Sequence, residues 1–182
     1  MKHLTVPFQK EELKALRAGE NVLVSGVIYT ARDAAHGRLC SALERGEGLP
    51  VDLRGQTIYY AGPSPTPPGR PCGSIGPTTS MRMDAYTPRL LHYGVNALIG
   101  KGGRNDAVKQ ALKETGSVYF AAIGGCAAYM AACIEQLDVV AYDDLGTESI
   151  KRLVVKNMPL TVAIDAEGND AYEMGMKAYL NA

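Results

Sequence analysis

The sequence predicts an α/β layered fold, and three observations carry that reading. Short β-rich runs alternate with amphipathic helical patterns along the chain. Turns rich in Gly, Pro and Thr separate them. Apolar residues make up 46% and charged residues 21%, the balance of a globular chain able to bury a core rather than of a disordered tail.

Taken in order, Lys10 to Ala18 is expected to be a short amphipathic helix, with Leu13 and Leu16 on one side. Asn21 to Tyr29 is β-rich, and a helix is expected from about Arg32 to Arg45. Thr57 to Ala61 is a second, buried strand. Gly62 to Gly76 holds five prolines, which excludes helix and central strand because proline fixes φ and lacks a donor. A new helix is expected to open at Gly76-Pro77-Thr78-Thr79, with a threonine as its cap. Asn96 to Ile99 reads as a short strand running into Gly100-Lys101-Gly102-Gly103, and Asp106 to Thr115 as a helix. Ser117 to Ile123 is a strand, Gly125 to Gln136 a helix and Leu137 to Tyr142 a strand. The tail reads as one or two strands (Leu153–Val155, Leu160–Ile164) and a helix from about Asn169. With no repeat and no linker to divide it, the chain is expected to form a single domain over residues 1–182.

Nineteen Lys and Arg balance nineteen Asp and Glu, so no basic excess argues for nucleic-acid binding. No run of 18 apolar residues marks a membrane span. The four cysteines (40, 72, 126, 133) lack CxxC spacing and secretory context, which predicts free thiols in a cytoplasmic protein and no metal site on this chain. Small buried hydrophobes are their expected role, with Cys72 in the Pro/Gly loop the one expected to be exposed. Cys126 and Cys133, seven apart, would share a helix face.

Three strand-to-helix turns combine a helix start with a cation: Arg32, Arg82 and Lys101. Helix N-termini attract anions, and such turns gather at the carboxyl ends of strands, so together they predict a pocket for a small multiply charged anion. Taken singly, each reads more readily as an ordinary surface cation. Gly100-Lys101-Gly102-Gly103 matches the GxxG of a KH module, which keeps a stand-alone anion- or RNA-binding module open, and lacks P-loop spacing. Thr78 and Arg82, four apart, would lie on one helical face, where a guanidinium stabilises an alkoxide. Thr78 and Thr79 cannot be ordered by spacing, and one of them is expected to be the N-cap. His36 reads as a surface or capping histidine.

Several runs resemble the β subunit, or C-terminal domain, of class I fumarases and of the related L-tartrate dehydratases. They are Ser25 to His36, Tyr60-Ala61-Gly62-Pro63, Pro71 to Thr79, Arg82-Met83-Asp84, Ile99 to Gly103 and Gly124 to Ala128. The resemblance spans roughly residues 4 to 175. It implies a swivelling β/β/α domain and a hydro-lyase interconverting (S)-malate and fumarate, with L-tartrate or a related hydroxy-diacid as the alternative. It implies a [4Fe–4S] cluster on the cysteines of a partner, whose iron acts on the departing hydroxyl, and a general-acid Asp from that partner. Arg32, Arg82 and Lys101 would contact the substrate carboxylates, and Thr78 would be the base. Because the cluster-bearing half precedes this domain in single-chain members, the expectation is a separate α subunit in a hetero-oligomer, with this chain inactive alone.

Overall fold

The computed structural model describes residues 1–180. Its strands are β1 (Lys2–Val6), β2 (Asn21–Thr30), β3 (Thr57–Tyr59), β4 (Ala97–Gly100), β5 (Val118–Ala121), β6 (Ile134–Ala141) and β7 (Ile150–Ile164). Its α-helices are α1 (Lys10–Ala15), α2 (Asp33–Glu44), α3 (Thr87–Tyr93), α4 (Asp106–Thr115), α5 (Ala127–Ala132) and α6 (Ala171–Leu180). Short 3-10 turns cover Ser80–Met83 and Asp143–Glu148.

One seven-stranded sheet runs in the order β1-β2-β3-β4-β5-β7-β6, and β1 to β5 are parallel. The last long strand, β7, is antiparallel to β5 and also to β2, so β2, β3, β4, β5 and β7 form a cycle and the sheet is partly closed. The central strands are buried on both faces, as parallel strands covered by helices must be. Ile58, Tyr60, Leu98 and Tyr119 face one core with Leu39, Leu90 and Leu112 of α2, α3 and α4. Their neighbours Tyr59, Ile99 and Phe120 point the other way, into a second core with Ile28, Leu153 and Val155.

Local chemistry sets the element ends. In α4 the Asn105 side chain accepts from the Val108 amide at 2.9 Å, and Gly116 ends the helix in the left-handed region at φ +66°. Gly26 (φ +116°) sits in β2 where β1 crosses closely: a Cβ there would stand 2.5 Å from the Val6 carbonyl oxygen.

The structure departs from the sequence reading in identifiable places. The two expected tail strands are one 15-residue strand. It crosses Pro159 where β2 alone pairs with it, since β6 reaches only to Val155 and β5 begins at Thr161, and its irregularities are absorbed by register shifts. The expected Gly125–Gln136 helix is six residues long, and its last three residues, from Ile134 to Gln136, belong to β6, which pairs with β7. Cys126 and Cys133 therefore flank α5 as its two caps, part-exposed, rather than sharing a helix face. Cys72 is buried, not exposed, because the Pro/Gly loop folds onto itself: Ser64 N–H donates to Ser74 O, and the Cys72 thiol donates to Gly73 O. The strand β1 lies in a segment with no expected element.

Candidate active site

All four residues singled out as binding or catalytic lie beyond the carboxyl ends of the parallel strands β2, β3 and β4, the edge where α/β sheets bind ligands. Pairing continues past β2 through the Ala31 amide to Tyr59 O at 3.2 Å, and Arg32 follows in extended backbone before α2 begins. The Arg32 side chain passes beside Gly62, where a Cβ would stand 3.1 Å from Nη1. Its Nη2 pairs with Glu148 Oε1 at 3.4 Å, and its Nε is buried with no partner. The second oxygen of Glu148 accepts from the Ala34 amide at 3.0 Å, so one carboxylate both caps α2 and holds Arg32.

Asp33, the first residue of α2, holds Arg82 through two contacts, Nε to Oδ1 at 3.0 Å and Nη2 to Oδ2 at 2.9 Å. The pairing brings Arg82 to the residue beside Arg32 through one hydrogen bond, from Nε to Oδ1; Oδ2 stands at ion-pair distance and makes no hydrogen bond. The Arg82 side chain remains 53% exposed.

The Gly62–Gly76 loop returns to the same edge. Pro77 bridges Ala61, the Thr78 amide donates to Tyr60 O at 2.6 Å, and Thr79 bridges Lys101. Thr78 is thus laid, strand-like, between the ends of β3 and β4. The expectation that a helix opens there is corrected, and with it the placing of Thr78 and Arg82 on one helical face. The chain turns only at Ser80, into a 3-10 turn, because the backbone of 77–79 is already committed to Ala61, Tyr60 and Lys101. Neither threonine is a capping side chain: Thr79 occupies the cap position of that turn and makes no side-chain cap bond. Among the described residues the Thr78 hydroxyl and the Lys101 ammonium form no hydrogen bond, and the Lys101 stem lies 3.6 Å from where a Gly124 Cβ would stand.

His36 is fully buried, which corrects the surface or capping role. Its Nδ1 lies 2.9 Å from the Arg32 carbonyl, which can only accept, so the ring is the Nδ1–H tautomer and donates there. Its Nε2 is a buried lone pair without a partner. Desolvation lowers its pKa to about 4, so a neutral imidazole supports the backbone of Arg32. Sequence reasoning missed this, and it missed Glu148, whose role depends on a contact with α2 from 114 residues away. A 690 Å³ cavity between α2 and α3, lined by Gly37, Cys40, Glu44 and Tyr86, contains none of the four candidate residues.

The Gly100-Lys101-Gly102-Gly103 turn joins a strand to a helix, β4 to α4, whereas the KH module places its GxxG between two helices. Among the described residues no three His, Cys, Asp or Glu side chains gather into a metal-binding group, and no helix is long and apolar enough to cross a membrane.

The family model of the fumarase C-terminus matches residues 2–175. This chain belongs to the fumarase C-terminus family. Over 165 residues it is 38% identical to the aerobic class I fumarate hydratase of Salmonella typhimurium, covering 90% of this chain and 28% of that enzyme. Fumarate hydratase 2 of Leishmania major is 36% identical over 165 residues, again 90% of this chain and 29% of that protein. A Methanocaldococcus jannaschii protein carrying the name L(+)-tartrate dehydratase subunit beta is 41% identical over 170 residues, covering 90% of this chain and 87% of its own length. This member of the fumarase C-terminus family therefore spans under a third of those fumarate hydratases and most of that subunit. These relatives are hydro-lyases by name.

Proposed function

We propose that this chain is the β subunit of a two-component hydro-lyase that interconverts (S)-malate and fumarate. The observation that carries the reading is the gathering of Arg32, Thr78, Arg82 and Lys101 on one strand edge, with the Arg32 Nε donor buried and unpartnered. Glu148 and Asp33 already offset two of the three cations, so a dicarboxylate would meet the Lys101 ammonium and the unfilled arginine donors, and a buried N–H without an acceptor is a cost that a bound carboxylate removes.

In this reading Arg32, Arg82 and Lys101 hold the substrate carboxylates, and the Thr78 hydroxyl, ionised, accepts the proton from the carbon beside one of them. The surrounding cations make that alkoxide accessible. Hydroxide departs from the neighbouring carbon to leave fumarate, and the reverse sequence hydrates it. The residues present here do not fit an iron–sulfur cluster, so the proposal places a [4Fe–4S] cluster on a separate α subunit, where it would supply a Lewis acid for the hydroxyl. The general-acid Asp is assigned to the same partner, and a cytoplasmic hetero-oligomer of the two forms the enzyme. The domain, of the swivelling β/β/α class over residues 1–182, would present this cationic edge to the partner that carries the cluster.

A second reading, L-tartrate dehydratase, is favoured by one observation: the tartrate relative is matched over 87% of its length. Reconstitution with the cluster-bearing partner tests both. Turnover of (S)-malate and fumarate above L-tartrate supports the first reading, and the reverse order supports the second. No turnover of either diacid by a cluster-loaded complex overturns both.

A further inference from the structure

Behind the candidate site lies a network of buried polar groups that none of the roles above uses. Arg104, with no exposed side-chain surface, donates from Nε to Asp84 Oδ1 at 2.6 Å, and the Asn105 amide donates to Asp84 Oδ2 at 2.8 Å. The guanidinium lies between the rings of Tyr60 and Tyr119, at 5.3 and 5.0 Å from their centroids.

Proton directions in this network are determined. Tyr119 O–H must donate to the Gly102 carbonyl at 2.9 Å, so its oxygen accepts from the Ser80 hydroxyl at 2.9 Å, and Ser80 Oγ accepts from the Lys101 amide at 3.0 Å. Likewise Thr87 donates to Met83 O, leaving its oxygen to accept from Arg104 Nη2 at 2.8 Å and from Tyr60 O–H at 3.0 Å. Ser80 and Asp84 follow Thr78, whereas Lys101, Gly102 and Arg104 belong to the turn after β4. The network thus bolts together two segments that have little regular structure of their own. Even the spacing is tight: a Cβ on Gly100 would stand 1.9 Å from Ser80 Oγ.

We infer that Tyr119 and Arg104 are positioning residues that fix the Lys101 turn against the Thr78 segment and so set where the ammonium stands relative to the hydroxyl. The inference deepens the diacid reading above and rests on it for its catalytic meaning. Arg104 carries a buried charge whose removal threatens folding, so the decisive variant is Tyr119→Phe, which deletes one hydroxyl and keeps the ring over the guanidinium.

Hydrogen exchange on the full chain reads the bolt without any substrate. In Tyr119→Phe, which removes the bonds to Gly102 O and from Ser80, the Ser80 and Lys101 amides exchange about five- to tenfold faster, while the Ala122 and Val162 amides keep their rates. In the reconstituted complex KM for (S)-malate rises about two- to tenfold, the same loss read as binding, and kcat falls by less than KM rises. Unchanged exchange at Ser80 and Lys101, or exchange accelerated equally at all four amides, overturns the inference. Failure of the wild-type complex to turn over any diacid removes the catalytic reading, and the exchange result still decides whether the bolt exists.

Discussion

Arg32 and Thr78 carry the sharpest claims at the scale of single residues. Two carboxylates surround the arginine pair, Glu148 on Arg32 and Asp33 on Arg82, and they orient the guanidinium planes while leaving the Arg32 Nε donor unpartnered. Arg32→Ala in the reconstituted complex is expected to lower kcat/KM by about 1.5–3 kcal/mol, the range for a hydrogen bond to a charged group. Arg32→Lys recovers part of that, because a point charge replaces a planar fork. Steady-state kinetics on the two variants provides the check; unaltered constants in Arg32→Ala would return it to the role of a surface cation. Thr78 has a free hydroxyl and a backbone already secured through its amide. Thr78→Ala is therefore expected to cost about 10²-fold or more in kcat with little change in melting temperature. Exposed Thr79, which makes no cap bond, is the neighbouring control, expected to move stability by less than about 0.5 kcal/mol. A Thr79→Ala complex that loses turnover while Thr78→Ala keeps it would exchange the two roles.

Helix α2 and the segment packed on its start show how an element carries a site. His36 has a folded pKa of about 4 against 6.5 for an exposed ring, with burial as the main cause. Its depressed value means that the unfolded chain takes up a proton first. The stabilisation is complete above about pH 6.5 and drains away as pH falls toward 4, roughly 3 kcal/mol in all. Thermal melts across that window should fall more steeply for the wild type than for His36→Gln; parallel curves would mean that the ring is charged or exposed in the folded chain. The 3-10 turn Asp143–Glu148 is tied down by Lys151, whose ammonium donates to Gly146 O at 2.9 Å, Thr147 O at 3.1 Å and Ser149 Oγ at 2.6 Å. Lys151→Met should free that turn, withdraw Glu148 from Arg32 and lower the melting temperature by several degrees, for a loss of about 1–3 kcal/mol. A melt unchanged in this variant would show the turn held by other contacts. The helices α2 and α4 were legible because each has a clear apolar stripe and a marked end. Thr78's strand-like backbone was not, since it depends on Ala61, Tyr60 and Lys101, partners that no window of local sequence contains.

For the whole molecule, the alternation of strands and helices announced the α/β class and the strand edge that carries the cations, whereas sheet closure was hidden. Nothing in the run from Ile150 to Ile164 marks a strand that pairs with β2, β5 and β6 at once; that is a property of the assembled sheet. Under the proposed two-component reading, the isolated chain is expected to melt cooperatively, to purify without iron and to hydrate fumarate weakly or not at all. Activity assays and iron analysis on the chain alone check this, and ordinary turnover by the pure polypeptide would defeat the two-component reading. Closure also orders events in time. Arg32, Thr78, Arg82 and Lys101 are all synthesised before β7, yet β2 and β5 reach their shared neighbour only when it arrives. A nascent chain halted short of Ile150 holds every proposed binding group and leaves β2, β5 and β6 without the strand that pairs with all three, the state in which chaperone capture and aggregation compete with folding.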